Sequence, residues 1–272
     1  MSQALGGAFS FVDRITEVAP GRARGSYLVP AALARFSPGL VAEAVGQLAA
    51  WVAMARTGFR RRPLAALAGA AHFVAPAEPG RVLELGVEID RWGVEAMAYG
   101  GWARVAGQPV LELSGCVGAM MAMAEFADPE AGREHFELLC GAGVAAGRFR
   151  GVEAPQLTVI ERVPGERLRA WLQVPAQAPF FAEHFPRRAV FPATLLVDAG
   201  IALARQALPN EGWPQRVENV KLRTFILPGQ VIEIRIDSLS QGGGTARCAL
   251  SATVEGKLVA TARIVIVTRE VA

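Results

Sequence analysis

The feature that most constrains this chain is an internal repeat. Ala103, Val105, Gly107 and Val110 recur as Ala252, Val254, Gly256 and Val259, each 149 residues later. The same offset carries Pro79-Gly80 onto Pro228-Gly229, and Val82, Glu84 and Leu85 onto Val231, Glu233 and Ile234. The beginnings of the copies match as well: Pro20-Gly21 in ITEVAPGRARGSYLVP corresponds to Pro164-Gly165 in VIERVPGERLRAWLQVP. A repeat of this length means one supersecondary unit built twice.

Each copy reads as a strand, a Pro-Gly turn, a second strand, an apolar helix and then three strands of alternating character. The helical segments PGLVAEAVGQLAAWVAMA and PATLLVDAGIALARQAL open at Pro38 and Pro192, a residue suited to the first helical position. Both are apolar on nearly every side, so they must be buried. An antiparallel sheet wrapped round each helix satisfies that demand. The expected division is an N-terminal unit at residues 1–124, a linker at 125–154 and a C-terminal unit at 155–272. The two units are expected to join edge to edge as an internal pseudo-dimer; whether pseudo-dimers assemble into a further homo-oligomer is left open.

Composition narrows the function. Hydrophobic residues make up 52% of the chain, enough for a large core. With 28 basic against 25 acidic residues, and no long block of like charge, a nucleic-acid partner is not expected. The densest basic run, Arg60-Arg61-Arg62, reads as a solvated turn after a helix. Cys116, Cys140 and Cys248 have neither metal-ligand spacing nor a paired pattern, so a reducing compartment and no metal are expected. The start of the chain lacks a secretory pattern. The longest charge-free apolar stretches, 44–55 and 113–124, fall short of the roughly 20 residues that span a bilayer. A soluble, cytoplasmic protein without a membrane span is the expectation.

The second copy contains FFAEHFPRRAVFPATLLVDAG, with His184 before the helix and Asp198 on it, 14 residues later. This resembles the motif of the β-hydroxyacyl acyl-carrier-protein dehydratases (FabA/FabZ-like). His184, Phe185, Pro186, Pro192, Leu195, Asp198 and Ala199 match it. The sequence departs from the family at Ala193, where Gly is usual, at Ala189, where Pro is usual, and at Arg187 and Arg188. The first copy departs further. Pro30 to Glu43 is 13 residues, whereas Pro175 to Asp198 is 23. The ten missing residues are those that would carry the histidine, while the acid and glutamine of the family's helix persist as Glu43 and Gln47.

The resemblance implies an α+β double hotdog and a site composed from both copies. One composite site pairs His184 with Glu43. Its mirror has Asp198 and no histidine, and is expected to be dead; Asp198 then persists by descent from an active copy and is a third, weaker catalytic candidate. Dehydration of a β-hydroxyacyl thioester needs a base at the α-carbon, which suits His184. It also needs an acid for the departing hydroxyl, which suits a carboxyl among apolar neighbours such as Glu43. Gln47, one turn on, is expected to hydrogen-bond Glu43. The backbone N–H of Ala193 is expected to polarise the thioester carbonyl, with Phe185 lining the substrate's path. Arg187 and Arg188 suit a phosphopantetheine phosphate or an acidic carrier protein, or are simply solvated. His72 and His135 are expected at surface or strand positions. The implied partners are acyl carrier protein or acyl-CoA, and no cofactor is implied. Two other readings use the same fold: a thioesterase, which does not need the histidine loop, and a non-catalytic partner subunit. Double-bond isomerisation is a minor option.

Overall fold

The structure is a computed structural model that describes residues 7–153, 156–208 and 212–268. The first copy runs β1 (Arg14–Ala19), β2 (Arg22–Leu28), α1 (Pro38–Arg56), β3 (Arg61–Phe73), β4 (Val82–Trp92), β5 (Ala96–Val105) and β6 (Gln108–Ala122). A linker helix, α2 (Pro129–Cys140), follows. The second copy runs β7 (Leu157–Val163), β8 (Arg167–Gln173), α3 (Ala193–Gln206), β9 (Gly212–Leu222), β10 (Val231–Gly242), β11 (Thr245–Val254) and β12 (Lys257–Thr268). The expected junction between linker and second copy, at residues 154 and 155, lies outside the described residues.

The strands form one antiparallel sheet of twelve in the order β1-β2-β4-β5-β6-β3-β9-β12-β11-β10-β8-β7. That order reads the same from either edge once each strand is replaced by its repeat partner. The copies therefore meet where β3 pairs with β9, with Ala71 opposite Val217 and Ala68 opposite Val220. Each half-sheet wraps its own helix, which makes the molecule a double hotdog. β4, β5 and β6 begin at 82, 96 and 108, and β10, β11 and β12 at 231, 245 and 257, so the 149-residue offset holds for three strands.

Four strands follow the helix in each copy, one more than the alternation predicts. The additional pair is β3 and β9. β3 is built from Ala, Gly and Leu, not from the β-branched and aromatic residues that usually announce a strand. Arg61 and Arg62 open that strand, so the expected solvated turn is not there. Its first backbone partners are Ala122 and Met121 of β6.

α1 is capped by Ser37, whose side chain accepts from the N–H of Leu40. It buries Val41, Ala44, Val45, Leu48 and Ala49 against the sheet, each large side chain contributing on the order of 1.5–3 kcal/mol. Gly101 allows the approach: a Cβ there would lie 2.5 Å from Val45 Cγ1. By length and composition α1 passes as a membrane span, but here it is the core helix enclosed by the sheet. The two helices start at equivalent points, Pro38 for α1 and Ala193 for α3, an offset of 155. Pro192 is thus the residue before its helix, and its counterpart is Ser37. This corrects the simple matching of the two prolines. α2 adds cover rather than slack. It is capped by Asp128 and lies against β1 and α1.

Candidate active site

The histidine loop leaves β8 through a short turn at Pro179–Ala182. The N–H of His184 then donates to the carbonyl of Phe180 at 2.7 Å. Phe185 takes a left-handed backbone conformation, φ 69°, uncommon for a bulky residue and a feature that clusters at functional sites. The His184 ring is gripped on three sides. Nδ1 lies 3.1 Å from the carbonyl of Val190, Phe9 meets it edge-on at 5.4 Å and Phe185 covers it at 4.1 Å. With a proton on Nδ1 donated to Val190, Nε2 is left as the free acceptor. Burial holds the imidazole below its ordinary pKa, Glu43 opposes that shift and Arg62 adds to it. The ring is therefore neutral near pH 7.

Glu43 reaches the same cavity from α1 of the other copy, and both of its oxygens are engaged. Oε1 accepts from Gln47 Nε2 at 3.0 Å, and Oε2 accepts from Thr194 Oγ1 of α3 at 2.9 Å. Gln47 also accepts from the N–H of Phe11 and donates to the carbonyl of Phe9. Glu183 accepts from the N–H groups of Ala8 and Phe9 and from Ser10 Oγ. The N-terminal segment is thereby pinned across the site by residues of both copies.

These groups share one cavity of about 490 Å³, a size that suits a small-molecule ligand. His184, Glu43, Gln47, Phe185, Arg187 and Ala193 all line it. As the first residue of α3, Ala193 has an N–H with no acceptor within its own helix. Asp198 and Arg188 are not among the lining residues. Arg187 is held by Asp128 at 2.6 Å and by the carbonyl of Ala124. Arg188 lies over the rings of Phe126 and Phe225. Both guanidinium groups remain about half exposed.

Asp198 sits at the mirror position, 155 residues after Glu43. It accepts from Ser37 Oγ and from the N–H of Gly39 at 2.8 Å, which makes it a second cap on α1. Burial raises its carboxyl to about 6, against the pull of those two hydrogen bonds. Gly39 is required there, since a Cβ would lie 2.6 Å from the carboxyl carbon. The mirror site also has Pro38 in the place of Ala193, and proline has no N–H to offer a carbonyl.

Four participants escaped the sequence reading: Thr194, Glu183, Phe9 and Arg62. Thr194 carried the one available signal, a hydroxyl in the first turn of an otherwise apolar helix. Of the other histidines, His72 is on β3 as expected. His135 is on α2, not on a strand, half-buried and stacked on Trp51 at 5.2 Å.

Fold and site together define a hotdog protein in which a histidine and a glutamate line one largely apolar cavity. A family model described as ApeI-like (ApeI dehydratase) matches residues 161–262. The 3-hydroxyacyl-[acyl-carrier-protein] dehydratase FabZ of Pseudoalteromonas translucida is 30% identical over 121 residues, 41% of this chain and 81% of the relative. FabZ of Ruminiclostridium cellulolyticum is 32% identical over 113 residues, 39% of this chain and 80% of the relative. Among solved structures, a putative oleoyl thioesterase from Lactobacillus plantarum superposes with a TM-score of 0.62 at 12% identity, covering 93% of this chain and 97% of that one. A MaoC-like dehydratase superposes with a TM-score of 0.56 at 14% identity, covering 91% and 97%. At those identities the superpositions speak for the fold alone. The chain belongs to the FabA/FabZ-like family of hotdog dehydratases.

Proposed function

We propose that the protein dehydrates β-hydroxyacyl thioesters, carried on acyl carrier protein or coenzyme A, to trans-2-enoyl thioesters at a single composite centre. The observation that carries this reading is that His184 from the second copy and Glu43 from the first line one largely apolar cavity together with Ala193, close enough for the two side chains to interact electrostatically. The thioester carbonyl accepts from that N–H, which stabilises the enolate-like charge as the α-proton leaves. His184 Nε2 takes the proton from Cα. The electron pair forms the Cα=Cβ bond, the Cβ–O bond breaks, and the carboxyl of Glu43 gives its proton to the departing oxygen as water forms. Gln47 and Thr194 hold that carboxyl in place. The mirror site lacks both the histidine and the N–H, so it takes no part.

The test is turnover of β-hydroxyacyl thioesters of several lengths on both carriers, followed by enoyl-thioester absorbance and by free-thiol release. Wild type is expected to make the enoyl product without releasing thiol. His184→Ala is expected to lose about 10²–10⁴-fold. Because the base must be neutral, kcat/KM falls as pH drops through the His184 pKa. Burial sets that limb below the ordinary value of 6.5. Thiol release that survives His184→Ala would replace this reading with a thioesterase.

A further inference from the structure

Arg62 is a cationic group at the cavity that the proposed chemistry leaves without a task. It is carried by β3 of the first copy and lines the cavity. Its guanidinium lies 4.4 Å over the ring of Phe185, and its Nε is buried with no hydrogen-bond partner among the described residues. A buried donor left unpaired is rare and costly. Phe185 offers a π face and no acceptor. Glu43 and His184 are both close enough to interact electrostatically with Arg62. Yet the oxygens of Glu43 are occupied by Gln47 and Thr194, and His184 Nδ1 is occupied by Val190. Arg62 thus lines the space where substrate sits, with no ion pair and no partner for its Nε among the described residues.

We propose that Arg62 binds the β-oxygen of the substrate and stabilises it as the Cβ–O bond breaks. This rests on the dehydratase reading, which places the thioester oxygen at Ala193 and the α-hydrogen at His184. The oxygen left over, beside Glu43, is the leaving hydroxyl. A guanidinium gives no proton in this pH range, so its role is electrostatic and the proton still comes from Glu43. Its attraction grows with the negative charge on the departing oxygen, so it favours the transition state over bound substrate. A saturated acyl chain, with no oxygen at Cβ, gains nothing from it.

Two ligands of equal length separate this role from a simple brace on Phe185: a β-hydroxyacyl-CoA and its saturated acyl-CoA. Titration of both is done in a His184→Ala background, so that no turnover intervenes. Adding Arg62→Met is expected to weaken the hydroxyacyl ligand about 10-fold and to leave the saturated one within about twofold. In otherwise native protein, Arg62→Met is expected to lower kcat about 10²-fold, with part restored by Arg62→Lys. Should the Met variant not fold, the Lys variant carries the test through the same ligand pair. Equal weakening of both ligands, or of neither, overturns the assignment. If native protein makes no enoyl product but the oxygen-dependent loss persists, the dehydratase reading fails and the Arg62 contact stands. If turnover is present and the ligands are not discriminated, the Arg62 contact fails alone.

Discussion

The two pseudo-equivalent sites are built from matching pieces and differ in what holds the carboxyl. Glu43 is long, is steered by the side chains of Gln47 and Thr194, and looks into a cavity. Asp198, one methylene shorter, is drawn onto the helix start opposite, where Ser37 and the N–H of Gly39 take up its oxygens. The same exchange of a carboxyl for a facing helix start occurs at both ends of the pseudo-twofold axis. At one end a threonine hydroxyl spans the gap, and at the other a glycine removes it. The difference teaches how matching carboxyls take different surroundings: where the histidine loop is absent, the acid caps a helix instead of lining the cavity.

That comparison is sharpened first by stability against pH. The Asp198 carboxyl is raised from 3.8 to about 6, so the folded chain holds its proton more tightly than the unfolded chain does. The resulting stabilisation is fully present below the unfolded value and is lost as pH rises through the folded one. Asp198→Asn removes this dependence. Relative to wild type, the variant is expected to gain stability between about pH 4 and about pH 7, by up to roughly 3 kcal/mol. Denaturant unfolding across that range measures it, and parallel curves would show that burial does not raise the Asp198 carboxyl. A smaller effect is expected from Gly39→Ala, whose new methyl would meet the Asp198 carboxyl. It should cost about 1–3 kcal/mol, since the methyl would also meet the Thr194 carbonyl. A variant of native stability would break the picture of Gly39 as a close-packed partner of the Asp198 carboxyl.

Much of this was legible in the chain itself. The 149-residue offset predicts which strands are partners, and the ten-residue deficit before Glu43 predicts which copy lacks the histidine. β3 was not legible, because its alanine-rich stretch carries little strand signal until the partner copy supplies β9 as a neighbour. Arg62 was hidden for the same reason: three arginines after a helix read as solvated until the third of them is seen on a strand lining the cavity. The Pro38 and Pro192 matching failed by one residue because both prolines suit a helix start, and only the helix geometry shows that one is first within its helix and the other just before it. Thr194 and Glu183 make contacts across 151 and 173–175 residues of chain, which local patterning does not register.

Which carboxyl works with His184 decides between the two ends of the pseudo-twofold axis. The direct measurement is kcat/KM for a β-hydroxyacyl thioester with Glu43→Gln and Asp198→Asn side by side, each shown to be folded. The prediction is a loss of about 10²-fold or more for Glu43→Gln and a change within about threefold for Asp198→Asn. Full activity in the glutamine variant, with the loss falling on the asparagine variant, would contradict it and move the centre to the other end of the pseudo-twofold axis.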